Sequence, residues 1–557
     1  MRAAGAGQVK FVRLWYWRSV LPHKIVRLSL ILAGAVSLAL GQAKPIPQLV
    51  KSGGKYTFMV DGKPFIILGG QVHNPNAFPD LIEPAWARLK ALNANTVEYP
   101  VYWNEIEPQE GRFEFGDFDL ILRKARSEGL RVVLLWFGTW KNGSMDWAPT
   151  WVKSDTARFP RVIDSGGKPI RNLSPHSKNN LDADRKAYVA MIHHLKEIDE
   201  ADRTVIMMQV ENESGLLGSV RDYSPEATRL FNGPVPAPFV ASLKKKPGTW
   251  TEVFGPRMAE EAFTVYYLST YIDTVAKAGK AVYPLLAYCN VWMGGDNTND
   301  NFDVWDRPGE GYPSGGPVTH VIDLWKASAP NIDIIGPDIY HQSPIIYRGI
   351  LASYHRPDNP LMVVETGGGM NFARYMFYAL GDHDAIGFTP YGVDTGATDG
   401  ISPRFAAVAA NFGVIGSALP VISQLQVTGK LKAAVEEDFI RSRTMTFDNY
   451  DVFVHFRPAV RASGLAPAVT GPPEPSGRAL VGQLGPDEFL IMGFDAELVF
   501  RPAWGSHYTD AQFVEVEEGV YENGIWKRTE IRNGNFSDRG IVLSSRGAMV
   551  KAKAIRY

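Results

Sequence analysis

Between residues 65 and 390, short runs of branched and apolar residues alternate with longer stretches in which apolar positions recur every three or four residues. The short runs lie at 65–70, 96–100, 132–136, 205–211, 281–287, 332–336, 362–365 and 385–389. Their near-continuous apolarity predicts strands buried on both faces, as in a parallel sheet. The intervening stretches, such as 82–92, 117–128, 184–197, 256–278 and 318–327, predict helices. Strand followed by helix along this whole span selects an α/β class, and eight strands is the number that closes a (β/α)8 TIM barrel. An open doubly wound sheet shows the same alternation. Against it, no Gly-rich phosphate loop follows the first strand, and long segments rich in Pro, Gly, Asp and Trp follow the fourth and fifth, at 214–255 and 288–316. Excursions at strand C-termini are how barrels build pockets.

The flanks differ in texture. Residues 56–65 predict a short hairpin turning at Asp61-Gly62. Residues 403–424 predict a helix leading out of the barrel. Beyond it, short strands are expected at 450–456, 488–492, 496–500, 513–520 and 549–555, with turn signals at Asn523-Gly524 and Asn533-Gly534. That pattern predicts a C-terminal β-sandwich domain, with the Pro-rich stretch 465–477 as a loop inside it. The expected division is a leader at 1–43, a catalytic barrel with its N-terminal hairpin at 44–427, and the sandwich at 428–557. In the leader, a basic stretch ending at Arg27 precedes an apolar run from Leu28 to Leu40, and Gly41-Gln42-Ala43 supplies small residues for cleavage. The run is shorter than the roughly 20 residues that span a bilayer, so a signal peptide cleaved near Ala43 is expected. The protein would then be exported to a bacterial periplasm or beyond, with no membrane contact afterwards.

Charge narrows the partners. The 58 basic and 59 acidic side chains nearly cancel, and no long basic run occurs outside the leader, so nucleic acid is a poor partner. The single cysteine, Cys289, forbids an intrachain disulfide. No His, Cys and acidic cluster has metal-ligand spacing, so neither metal nor cofactor is expected. No Gly-x-Ser-x-Gly elbow offers an esterase nucleophile. Many of the 14 Trp and 22 Tyr fall in loop-like stretches, where such rings suit stacking on sugars.

Two acids stand out. Glu213 closes the run that begins at Val205, and Glu365 closes Leu361-Met362-Val363-Val364-Glu365; a Gly-bearing loop follows each. Barrel strands aim their C-terminal ends at the active site, and two carboxyls facing one cavity are what glycoside hydrolysis requires. A single Glu at a strand end is more often a cap or an ion-pair partner. Two at matching ends shift that balance toward catalysis.

Gln209-Val210-Glu211-Asn212-Glu213-Ser214-Gly215 resembles the Gln-x-Glu-Asn-Glu-Tyr-Gly signature of family 35 glycoside hydrolases, retaining β-galactosidases built on a (β/α)8 barrel. Tyr102-Trp103-Asn104-Glu105-Ile106-Glu107-Pro108, followed by Gly111-Arg112-Phe113 and Phe115, is similar to that family's Trp-Asn-x-His-Glu-Pro segment and its Gly-x-Phe-x-Phe sequel. The resemblance runs from about 65 to 400, and family 42 shares the same clan-level design. Ser214 replaces Tyr, Ile106 replaces His, and Trp136-Phe137-Gly138-Thr139-Trp140 replaces an Arg-Pro-Gly-Pro-Tyr segment. These departures bear on sugar specificity before mechanism.

The resemblance implies Glu213 as acid/base and Glu365 as nucleophile, in an exo-acting enzyme that removes terminal β-galactose from oligosaccharides, with plant cell-wall side chains of the xyloglucan type as one substrate class. Asn212 either hydrogen-bonds the sugar 2-hydroxyl or caps the following loop. Asn104 and Glu105 either contact substrate or start a helix. Glu211 is divided between a sugar contact and a structural ion pair. Tyr340 either donates a hydrogen bond to Glu365 or packs. His73, in a Gln-x-His segment, is expected on the pocket floor. Among Trp140, Trp147, Trp292 and Trp305, one or two are expected to stack on sugar. The alternatives are another exo-β-glycosidase, such as a β-glucosidase or α-L-arabinosidase, or a binding barrel without catalysis.

Overall fold

The computed structural model describes residues 44–293, 307–395, 400–456, 474–534, 537 and 540–557. The barrel expectation is borne out. Eight parallel strands close on themselves: β1 (Ile67–Gln71), β2 (Thr96–Tyr102), β3 (Arg131–Lys141), β4 (Val205–Asn212), β5 (Ala287–Trp292), β6 (Ile334–Ile339), β7 (Val363–Thr366) and β8 (Gly387–Pro390). Spatial order follows chain order, and β8 closes onto β1 through Gly387 opposite Ile67 and Phe388 opposite Leu68. Every residue of β2, β4, β6 and β7 is buried, which is why these segments read as unbroken apolar runs. A helix follows each strand, from Glu83–Ala91 after β1 to Ala406–Ile415 after β8.

The fifth strand lies later in the chain than its sequence suggests. Residues 281–282 form the last turn of helix Trp250–Val282, and β5 starts only at Ala287. Pro284 is the reason: it excludes Tyr283 from helical backbone, and Tyr283 is extended at φ −143°, ψ 105°. Ala281 and Val282 belong to the helix, a distinction that a short apolar run does not encode.

Beyond the barrel, two antiparallel sheets pack face to face. One has six strands in the order Leu431–Val435, Arg478–Gly485, Glu488–Phe494, Ala548–Arg556, Ala511–Glu522, Ile525–Ile531. The other has four: Ser442–Thr446, Tyr450–Phe456, Ala496–Pro502, Ile541–Leu543. Val452, Val454 and Leu498 from the smaller sheet share a core with Val481, Ile491 and Val550 from the larger. The alternate residues Leu480, Leu490, Met492 and Met549 join the barrel's core instead. The strands Arg478–Gly485 and Glu488–Phe494 are thus covered on both faces, so Arg478–Gly485 lacks the alternation that marks a half-solvated strand.

The segment Pro403–Thr428 is long and apolar enough to cross a membrane by composition alone. Here Val408, Phe412, Ile415 and Ile422 are fully buried, and helix Ala406–Ile415 touches both helix Met370–Gly381 and strand Glu488–Phe494. Its apolarity serves burial between the barrel and the sandwich. The leader 1–43 and most of the Pro-rich stretch lie outside the described residues.

Candidate active site

At the barrel mouth β5, β6 and β7 are in register, placing Trp292 opposite Asp338 and Asp338 opposite Glu365. Glu213 directly follows β4. Its main-chain N–H donates to Asn290 Oδ1 at 2.8 Å, and Asn290 Nδ2 donates to Asp338 Oδ2 at 2.9 Å and to Asn212 Oδ1 at 3.2 Å. Asn212 Oδ1 also accepts from Gln209 Nε2 at 2.9 Å, while its own amide donates to Asn142 Oδ1 at 3.1 Å. A network of amides therefore fixes the strand tip that presents Glu213.

Glu211 and Glu213 both adopt left-handed backbone, with φ of 64° and 45°. Such a conformation costs a non-glycine residue about 1–2 kcal/mol. It allows two acids of the same strand parity to face opposite ways. Glu211 turns behind the barrel wall toward Asp184, and its Oε2 accepts the Trp140 N–H at 2.7 Å. Burial, then the Asp184 charge, pushes Glu211 well above the usual carboxylate range, and the neighbouring side chain is another carboxyl, not the cation an ion pair needs. Gly138 makes room for it: a Cβ there would lie 2.8 Å from both Asp184 Oδ1 and Glu211 Oε1.

Glu213 instead faces Glu365, Asp338 and Lys141. Burial and then the Glu365 charge push Glu213 up to about 7, against the opposing pull of Lys141 and a hydrogen bond with Asp338. Glu365 is also raised by burial, but Lys141, Tyr340 and Gln71 pull it back toward the ionised form. The Tyr340 hydroxyl donates to Glu365 Oε1, and Gln71 Nε2 donates to Oε2 at 3.2 Å. Lys141 lies with its ammonium 5.2 Å from the Phe137 ring centre, among the three acids. Each of Glu213 and Glu365 keeps 8 % exposure, enough for a ligand to reach them. One carboxyl that holds its proton near neutrality, beside one whose hydrogen-bond donors and nearby ammonium favour its ionised form, is the division of labour that acid-assisted nucleophilic displacement needs.

Residues 57–247 match the model of glycosyl hydrolases family 35, and residues 408–544 match a domain of unknown function, DUF5597. Over 57–247 the chain is similar to glycosyl hydrolases family 35. Among curated proteins, the chain is similar to the β-galactosidase of Xanthomonas manihotis, 30% identical over 214 residues that make up 35% of this chain and 32% of that protein. It is also similar to β-galactosidase-1-like protein 3 of Homo sapiens, 29% identical over 178 residues, or 31% and 25% of the two chains. The chain thus spans about a third or less of the length of these relatives. Of the solved structures, the β-galactosidase of the psychrophilic Marinomonas ef1 aligns over 64% of this chain and 61% of its own, at a TM-score of 0.46 and 14% identity. The segment matched by the family model contains Glu213 and ends before β7. The position of Glu365 follows from strand register.

The structure brings Asn212, Tyr340 and both acids into one site, and puts the half-buried Trp292 at the end of β5, opposite Asp338. Others lie elsewhere. Trp140 has no exposed surface and packs edge-on against Tyr271, so it cannot stack on a sugar. The cause is a register break between Trp136 and Lys141 that returns Lys141, not Trp140, to the mouth. Asn104 and Glu105 sit in helix Trp103–Ile106, bonded to each other at 2.7 Å. Glu105 lines a separate crevice of about 160 Å³ with Phe78, Tyr102 and Asp117, and no hydrogen bond or charge contact joins it to Glu213 or Glu365. His73 stands at the rim, its ring 5.6 Å from that of Tyr391, and Gln71 takes the expected floor position. Trp147 stacks on Tyr102 at 4.0 Å, and Trp305 lies outside the described residues.

Gln71, Lys141, Asn290 and Asp338 are site residues that sequence reasoning did not single out. Gln71 stands in the Gln-x-His segment and Asp338 in Gly336-Pro337-Asp338-Ile339-Tyr340. Polar residues inside otherwise apolar strands were the available signal. Among the described residues no His, Cys and acidic group is arranged to hold a metal.

Proposed function

We propose that the chain is an exo-acting retaining β-galactosidase that removes terminal, non-reducing β-D-galactosyl residues from oligosaccharides by double displacement. Glu365 attacks the anomeric carbon and forms an ester bond to it, while Glu213 gives its proton to the departing glycosidic oxygen. Water then replaces Glu365, passing a proton to Glu213. The observation that carries this reading is the shared site of Glu213 and Glu365, in which each is tuned by different neighbours toward a different protonation state. The galactosidase names of the relatives support the sugar. Export directed by residues 1–43 belongs to the same proposal and draws on the leader's sequence, and wall-derived glycans of the xyloglucan type as substrate draw on that export and on the family resemblance.

The register break that brings Lys141 into the mouth, at the point where the chain departs from the family segment, favours a second reading: an exo-β-glycosidase for another sugar. Proton NMR of freshly released sugar from a panel of aryl glycosides tests both. β-Galactose appearing first from the galactoside, with the fastest turnover, is the expected result. Inversion at the anomeric carbon refutes the mechanism, and faster turnover of a different glycoside refutes the sugar.

A further inference from the structure

We propose that Lys141 and Asn142 are positioning residues that fix the direction of the Asn212 amide, so that the site keeps an N–H donor for the sugar's 2-hydroxyl beside Glu213. This rests on the glycosidase reading above. Lys141 ends β3, and it and Ser144 bond main chain to main chain in both directions, at 2.7 and 3.0 Å, around Asn142 and Gly143. Both central residues are left-handed, with φ of 51° and 63°. An Asn-Gly pair in that conformation makes a two-residue type I′ turn. The turn is seated on the tip of β4: the main-chain N–H groups of Asn142 and Gly143 donate to the carbonyl oxygens of Asn212 and Glu213, each at 3.1 Å. Asn172 braces it, its Nδ2 donating to the carbonyls of Gly143 at 2.8 Å and Gly215 at 3.2 Å.

Side chains carry the same link. Lys141 Nζ donates to Asn142 Oδ1, and Asn212 Nδ2 donates to that same oxygen at 3.1 Å. An ammonium only donates, so Lys141 obliges Asn142 to present its oxygen, whose second lone pair takes the Asn212 N–H. Asn212 Oδ1 accepts from Gln209 at 2.9 Å and from Asn290 at 3.2 Å, which fills its two lone pairs. Toward a ligand Asn212 is therefore a donor only, through the second hydrogen of Nδ2, and Glu213 Oε2, 3.5 Å away, competes for that hydrogen. Asn142 is exposed, so packing does little to hold its amide, and the buried Lys141 ammonium does so instead. When the Asn142 oxygen turns away, Asn212 loses the acceptor that steadies Nδ2, swings toward Glu213 and no longer serves the 2-hydroxyl. Hydrogen bonds to that hydroxyl strengthen in the transition state, so the loss falls on turnover.

The test compares kcat/KM on the aryl glycoside that the full chain turns over fastest with kcat/KM on its 2-deoxy counterpart. Their ratio reads what the 2-hydroxyl contributes, and an effect on folding or on the charge of the site acts on both substrates and cancels. Lys141→Met and Asn142→Ala should each cut the wild-type ratio about tenfold, the worth of one hydrogen bond. Asn142→Asp keeps an oxygen for both donors and should hold the ratio near the wild-type value. If Lys141→Met fails to fold by circular dichroism, Asn142→Ala, at an exposed position, decides. An unchanged ratio in either loss variant, or a fall as deep in Asn142→Asp as in Asn142→Ala, overturns this inference and leaves the glycosidase reading standing. So does a wild type that turns over the 2-deoxy substrate as fast as its parent. A wild type inactive on every aryl glycoside sinks the glycosidase reading and this inference with it.

Discussion

Tyr340 gives its hydroxyl hydrogen to Oε1 of Glu365, while Gln71 holds the other oxygen. Two donors on one carboxylate fix its direction and favour its ionised form. A hydrogen bond to a charged group contributes about 1.5–3 kcal/mol. Tyr340→Phe is therefore expected to lower kcat/KM roughly 10- to 100-fold and to move the acid limb of the pH profile upward. An unmoved acid limb, with activity near wild type, removes Tyr340 from the site's chemistry.

The two glutamates should fail differently. Glu365→Gln should abolish turnover while galactose binding persists by calorimetry. Glu213→Gln should cost about 10²–10⁴-fold on substrates with poor leaving groups and far less on dinitrophenyl galactoside. Near-wild-type rates of either variant on a natural disaccharide would reverse the role assignment.

Activity and stability should both sense Glu213. Because it titrates near 7 in the folded chain, kcat/KM should decline as pH rises through that value and the acid loses its proton. Its folded-state pKa is raised from 4.5 to about 7, so the stabilisation of the protonated form is complete below 4.5 and lost as pH rises through about 7. Calorimetric melting should show the wild type losing stability across that window, with a flatter curve for Glu213→Gln. Identical slopes would show that Glu213 is not shifted.

Two tryptophans that look alike in sequence should separate by assay. Trp140→Ala empties a fully buried site against Tyr271 and should cost about 3–5 kcal/mol of stability. Trp292→Ala, at the half-buried end of β5, should leave melting nearly unchanged and raise KM roughly tenfold. Thermal unfolding alongside steady-state kinetics checks both, and the reverse pattern would exchange the two roles.

Strand identity was legible where burial is complete on both faces, as in 205–211 and 362–365, because those runs are strand-length, rich in branched residues and followed by turn signals. The acids at their ends were legible for the same reason: a carboxylate closing an apolar run contradicts its surroundings. Trp140 was misplaced because strand alternation assumes unbroken register, and β3 breaks register between Trp136 and Lys141. Glu211 was ambiguous because parity gives it the same face as Glu213, and only the left-handed backbone at both positions separates them. Gln71, Asn290 and Asp338 are spread over more than 260 residues of chain, and nothing local announces that they meet.

Sequence alone determined the kind of object: periodicity counts strands and helices, Pro and Gly mark their ends, and an acid in an apolar run declares itself by its desolvation cost. Only the tertiary structure decided which groups surround each acid. Proton affinity depends on burial and on charges a few ångströms away, and those distances are set by barrel closure, bulges and register between strands far apart in the chain.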